Sequence, residues 1–166
     1  MMSGATTFCP FTERTAIPGN QGVGRGDAEL RARAIFRPYH DQIQGELDRR
    51  QRTGRASILV AIHSFTPMFM DVARPWHAGV LCNRDARLAE PMFRLLGGES
   101  GLKVGYNQPY AASEQSDFTI VHHGERRGIP QVELEIRQDL ITDGAGQAAW
   151  AQRLARLLVA AAAEAL

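Results

Sequence analysis

The chain has 166 residues, enough for one domain with a real core and too short for two comfortable ones. Hydrophobic residues make up 44% and charged residues 22%, the profile of a soluble globular protein. Lys plus Arg number 19 against 18 acids, so no global field draws the chain toward nucleic acid or membrane.

Met1–Gly26 carries Pro10, Pro18 and scattered glycines (Gly4, Gly19, Gly22, Gly24, Gly26) without sustained periodicity, and reads as a poorly organised segment over residues 1–26. Residues 27–166 read as a single α/β domain. Asp27 is a suitable N-cap for a helix that runs through Ala34–Phe36, is disturbed at Pro38 and continues from Tyr39 to about Arg52. Ile35, Ile43 and Leu47 recur at helical spacing, so one face can be buried, and Gly54 ends the helix. Ala56–Ile62 is a short continuous apolar run, the pattern of a strand covered on both faces. It stops at His63-Ser64-Phe65-Thr66-Pro67, and a polar cluster past the carboxyl end of a buried strand is where open α/β sheets place their sites. Ala78–Cys82 is a second strand, Leu88–Leu96 a helix closed by Gly97-Gly98, and Leu102–Gly105 a third strand. Tyr106–Gln115 is a loop, and Asp117 caps a helical turn over Phe118–Arg127. A long helix from Gln147 to Leu166 closes the chain, with Trp150, Leu154, Leu157 and Leu158 inward. Strands alternating with helices argue an α/β fold.

Before that last helix lies the most informative stretch, Arg127–Ile141. From Val132 it alternates: Val132, Leu134 and Ile136 on one face, Glu133, Glu135, Arg137 and Asp139 on the other. On an outer strand the charges would form a solvated ladder, which is the commoner arrangement. On a central strand they must line a cleft or find partners, because an unpaired buried charge is too costly.

Cys9 and Cys82 have neither metal-type nor CxxC spacing, which fits a reduced, cytoplasmic setting. No signal peptide pattern opens the chain and no apolar run reaches membrane length.

His63 is the sharpest single residue. It is either a satisfied polar histidine or a metal ligand suited to zinc; the absence of HExxH excludes a one-helix zinc site. Arg74 and His77, in Arg74-Pro75-Trp76-His77, are structural or, for Arg74, a carboxylate clamp. Asn107, Gln108 and Tyr110 either line a pocket or simply connect. Adjacent His122 and His123 face apart, so at most one points into any given site.

The blocks HSFTP (63–67), RPWHAGVL (74–81), GYNQPY (105–110), HGERRGIPQVELEIRQDLI (123–141) and GQAAWAQRL (146–154), with IPGN (17–20) and RPYH (37–40) ahead, resemble the N-formylglutamate amidohydrolase family in order and spacing. The resemblance implies a mixed β-sheet flanked by helices in three layers, of the phosphorylase/hydrolase-like class related to zinc carboxypeptidases. It implies zinc-dependent hydrolysis of N-formyl-L-glutamate, or a similar small N-acyl amino acid, to formate and L-glutamate, as in histidine breakdown. By position, His63 matches a metal ligand and Glu135 the strand carboxylate suited to general base, with Glu133 as the alternative. Arg74, Arg137 and Asn107 match groups suited to binding substrate. Family members usually carry an N-terminal half with an early strand and further metal-site residues, and this chain does not resemble it. Tyr106-Asn107-Gln108-Pro109-Tyr110 stands where the family has DNEPY, and Gln131 where relatives often have histidine. The expectation is therefore a fold incomplete at the N-terminus, with a bare sheet edge open to self-association or a partner chain. The alternative function is an inactive remnant, or a carboxylate-binding domain of the same fold.

Overall fold

The structure is a computed structural model and describes residues 11–12, 15–114 and 116–166. Cys9, Pro10 and Gly4 lie outside the described residues. The chain divides into two compact units between Arg49 and Arg50.

In the first unit, β1 (Phe11–Thr12) pairs antiparallel with β2 (Thr15–Ala16), so the segment read as loop contains a short ladder. α1 (Arg25–Arg31) starts behind Gly24, and Asp27 sits inside its first turn rather than capping it, where a carboxylate suits the positive end of the helix dipole. A π-helical turn, Ala32–Phe36, joins α1 to α2 (Arg37–Arg52). The disturbance expected at Pro38 thus falls one turn earlier. Pro38 has no N–H to offer the preceding turn, and the backbone N–H of Arg37 reaches Ala32 instead. The extra residue in that turn rotates Ile35 away from the face of Leu47: Leu47 is buried and Ile35 is 72% exposed. Arg31 secures the entry to α1 by donating to Asn20 Oδ1 at 3.0 Å and Gly19 O at 2.5 Å. Gly54, at φ +66°, follows α2, and the N–H of Arg55 donates back to Arg50 O at 3.0 Å, the left-handed helix ending expected of glycine.

The second unit is built on a four-stranded mixed sheet. Its strands are β3 (Leu59–Phe65), β6 (Ala78–Leu81), β7 (Val104–Tyr106) and β8 (Gln131–Arg137); the small β4 (Met68–Phe69) and β5 (Val72–Ala73) form a separate hairpin. The spatial order is β3-β8-β6-β7. β8 is parallel to β3 and antiparallel to β6, and β6 is parallel to β7. The alternating strand is therefore central. β3 is an edge strand of this sheet, and Ile62 on it is 56% exposed, so the apolar run is not covered on both faces as expected. That strand also runs later than expected: it carries His63, Ser64 and Phe65 and stops before Pro67, because backbone pairing with β8 continues through Phe65. The termination seen at His63 belongs to Pro67, which has no N–H for a ladder.

One face of the sheet is apolar. Val132, Leu134 and Ile136 of β8 pack with Ala78 and Val80 against Met92 and Leu96 of α3 (Ala89–Gly97) and Trp150, Leu154 and Leu157 of α4 (Gly144–Ala165). α4 begins three residues before the expected Gln147, because Asp143 caps it by accepting from Gly146 N at 2.7 Å. The other face is covered at one end by a π-helical turn, Thr119–Gly124, whose Ile120 and Val121 pack with Ala61 and Leu81.

Candidate active site and metal centre

Registration of the strands decides which side chains meet on the second face. Ala61, Glu133 and Leu81 stand in one cross-strand row, and His63, Glu135 and Gly79 in the next, continued onto β7 by Gly105. His63 is therefore part of a strand, not of the loop beyond it, and is directly opposite Glu135. Its Nδ1 lies 3.6 Å from Glu133 Oε1 and 3.8 Å from Glu135 Oε1. Nitrogen and carboxylate oxygens of the three residues all fall within 4.8 Å of one another. The imidazole, on the edge strand of the described sheet, is half exposed, while both carboxylates are fully buried.

Glu133 sits between Ala61 and Leu81 in its cross-strand row, with the buried carboxyl of Asp117 beside it. Burial, and then the charge of Asp117, push its pKa up to about 8. Asp117 is itself pinned, accepting from Ser113 N at 2.6 Å and from Ser116 Oγ at 2.5 Å. Glu135 is pushed up to about 7 by burial, and the nearby Arg74 charge works in the opposite direction. Its Oε1 accepts from the Tyr110 hydroxyl. Among the described residues, Glu133 Oε1 and Glu135 Oε2 have no hydrogen-bond partner. Two buried carboxylates side by side, each with an orphaned oxygen and facing an imidazole, suit a bound divalent cation, which would relieve both the desolvation and the mutual repulsion.

Two glycines make room for this row. A Cβ on Gly79 would lie 2.0 Å from the Gln108 carbonyl oxygen, and one on Gly105 would lie 2.5 Å from Gln108 Cβ and 2.9 Å from Trp76 Cδ1. The Asn107–Tyr110 loop therefore seats itself directly on the sheet, which is how Tyr110 reaches β8. Asn107 anchors that loop. Its backbone is left-handed at φ +48°, its N–H donates to Val80 O at 2.9 Å, and its Oδ1 accepts from Cys82 N at 3.0 Å. One donor–acceptor end of the Asn107 side chain, its Oδ1, is thus engaged by the backbone.

The arginines divide sharply. Arg137 chelates Asp139, with Nε 2.7 Å from Oδ1 and Nη2 3.1 Å from Oδ2, and Nη1 donates to Trp76 O at 3.3 Å. Arg74 has no ion pair among the described residues. It donates to Thr66 Oγ1 at 3.2 Å, and its Cζ stands 4.4 Å from the Phe69 ring centroid. His123 is buried and His122 stacks on Phe118 at 4.4 Å between ring centroids; neither joins the donor cluster. His77 Nδ1 accepts from Lys103 N at 2.8 Å.

Sequence reasoning missed Glu133 as a member of the donor set, Asp117 behind it and the reach of Tyr110. Alternation had put Glu133 and Glu135 on one face, and that was the available signal. The pairing partner of the strand, which brings His63 to them, carries no local signal.

The family model for N-formylglutamate amidohydrolase matches residues 3–142. The chain belongs to the N-formylglutamate amidohydrolase family. Among solved structures it is similar to gene product Atu2144 from Agrobacterium tumefaciens, with 34% identity and a TM-score of 0.86 over 92% of this chain. It spans 60% of that protein's chain. None of the curated proteins matches. The mixed α/β sheet with flanking helices is the architecture implied by the family resemblance.

Proposed function

We propose that this family member is a metal-dependent amidohydrolase acting on N-formyl-L-glutamate or a closely similar N-acyl amino acid. The observation that carries the reading is the buried Glu133–Glu135 pair facing His63 on a central strand, in a chain of this family. His63 and Glu133 would hold the cation. Such a cation, when bound, polarises an amide carbonyl and makes its water acidic enough to attack near neutral pH. Glu135 is the general base: its free Oε2 accepts the proton of the attacking water and returns it to the leaving amine, while Tyr110 fixes the other oxygen. Arg74 supplies a fixed positive charge for a substrate carboxylate by paired hydrogen bonds. Arg137, spent on Asp139, shapes the turn after β8.

The direct test is release of formate from N-formyl-L-glutamate by the metal-loaded protein, with Glu135→Gln as the control. Formate release by the parent that Glu135→Gln abolishes supports the reading; no release with metal bound contradicts it. With Glu135 as base, His63 and Glu133 are two donors where zinc enzymes use about three. That shortfall favours a second reading, a carboxylate-binding domain without turnover. It expects L-glutamate binding that is indifferent to His63→Ala.

A further inference from the structure

Arg74 packs against the β4–β5 hairpin. The β4–β5 hairpin exposes Met68, Phe69, Met70 and Val72. Its turn residues Met70 (φ +50°) and Asp71 (φ +63°) are both left-handed without being glycine. Two left-handed central residues are the geometry of a two-residue hairpin turn, and the hairpin packs on Arg74. The guanidinium lies over the Phe69 ring with Cζ 4.4 Å from the centroid, and 5.9 Å from that of Phe65. Nη1 is held by Thr66 Oγ1, Thr66 Oγ1 in turn donates to Met68 O at 2.5 Å, and the Arg74 N–H donates to Pro67 O at 2.8 Å.

We infer that Phe69 is a positioning residue for carboxylate recognition: its ring holds the Arg74 guanidinium flat, with the charge directed toward Glu135 and the remaining N–H groups free for a carboxylate of the ligand. The inference rests on the reading of Arg74 given above. Stacking occupies the face of a guanidinium and leaves its edge, where the donors are, available. One donor is used by Thr66, and no carboxylate of the described chain takes the others. With no ion pair among the described residues, the Arg74 charge is available to a ligand anion. The ring removes the rotamer freedom that a long side chain would otherwise lose on binding.

The test is calorimetric binding of L-glutamate, the product, so that no turnover is needed. Phe69→Leu keeps an apolar side chain without the π face and should weaken binding about 5- to 20-fold, within the range measured for cation–π contacts. Phe69→Tyr restores the face and should return binding to within about twofold of the parent. In an Arg74→Gln background Phe69→Leu should cost nothing further, which a merely structural role for Phe69 would not produce. Parent-like binding by Phe69→Leu, a loss that persists in the Arg74→Gln background, or no glutamate binding by the parent overturns the inference. Glutamate binding that depends on Phe69 without any formate release leaves this inference standing and removes the hydrolase reading. Turnover indifferent to Phe69 does the reverse.

Discussion

The two faces of β8 share one backbone and obey opposite rules. Val132, Leu134 and Ile136 meet a continuous apolar layer from α3 and α4, where every atom removed from water stabilises the fold. On the opposite face, Glu133 and Glu135 are equally buried yet each keeps an oxygen without a hydrogen-bond partner among the described residues. Burial there destabilises the charged form and raises proton affinity. One face holds the sheet together; the other gathers carboxylates that, with His63, could hold a cation. Core packing and the proposed site are thus divided by alternation along seven residues.

Substitutions on the two faces should separate these roles. Glu135→Gln has the largest expected effect on activity, a fall in kcat of roughly 10²–10⁴-fold with metal retained, read by formate release alongside metal analysis. Glu135→Gln protein that also loses its metal would make Glu135 a ligand instead of the base. Leu134→Ala, its neighbour on the apolar face, should cost about 3 kcal/mol of stability by denaturant unfolding, while activity per folded molecule stays near the parent's.

The metal-free protein offers a pH test of the same contrast. Glu133 and Glu135 have folded-state pKa values of about 8 and about 7, raised from 4.5 by burial. The folded state therefore binds protons more tightly than the unfolded chain. The stabilising contribution is complete below the unfolded value and is lost as pH rises through the folded values, between about 4.5 and 8. Each tenfold change in proton affinity is worth about 1.4 kcal/mol. Thermal unfolding without metal should fall by a few kcal/mol in stability across that window, and Glu133→Gln should flatten the fall. A stability that is level or rises from pH 5 to 8 would mean these carboxylates are not desolvated as described.

Gly79→Ala sharpens the comparison at the seam between strand and loop. Its Cβ would strike Gln108 O, so the loop bearing Tyr110 must move. A cost of about 1–3 kcal/mol in stability is expected, together with lower kcat, measured by denaturation and steady-state kinetics. The smallest effect on binding belongs to Arg137→Gln. That guanidinium serves Asp139 and Trp76 O, so KM should stay within about twofold, whereas Arg74→Gln should raise it by roughly tenfold or more.

Much of this was legible in the sequence where a pattern repeats. Alternation exposed both faces of β8, and the spacing of Trp150, Leu154 and Leu157 marked the buried side of α4. His63 and Glu135 stood out by residue type and by resemblance to the family. What stayed hidden depends on partners distant in sequence. The end of β3 is set by pairing with β8, so HSF read as a loop although it is strand. Asn107 and Arg137 have the chemistry to bind substrate, and only their contacts with Cys82 N and Asp139 reveal other commitments. Arg74 is the converse case: its place over the Phe69 ring, with no ion pair among the described residues, exists only once the hairpin folds back.

The most direct test is metal per chain after loading with zinc and removal of excess, compared among the parent, His63→Ala and Glu133→Gln. The account predicts about one equivalent in the parent and little in either variant, both remaining folded. Parent-like zinc in both variants, or none in the parent, would contradict a metal centre at the His63–Glu133–Glu135 cluster.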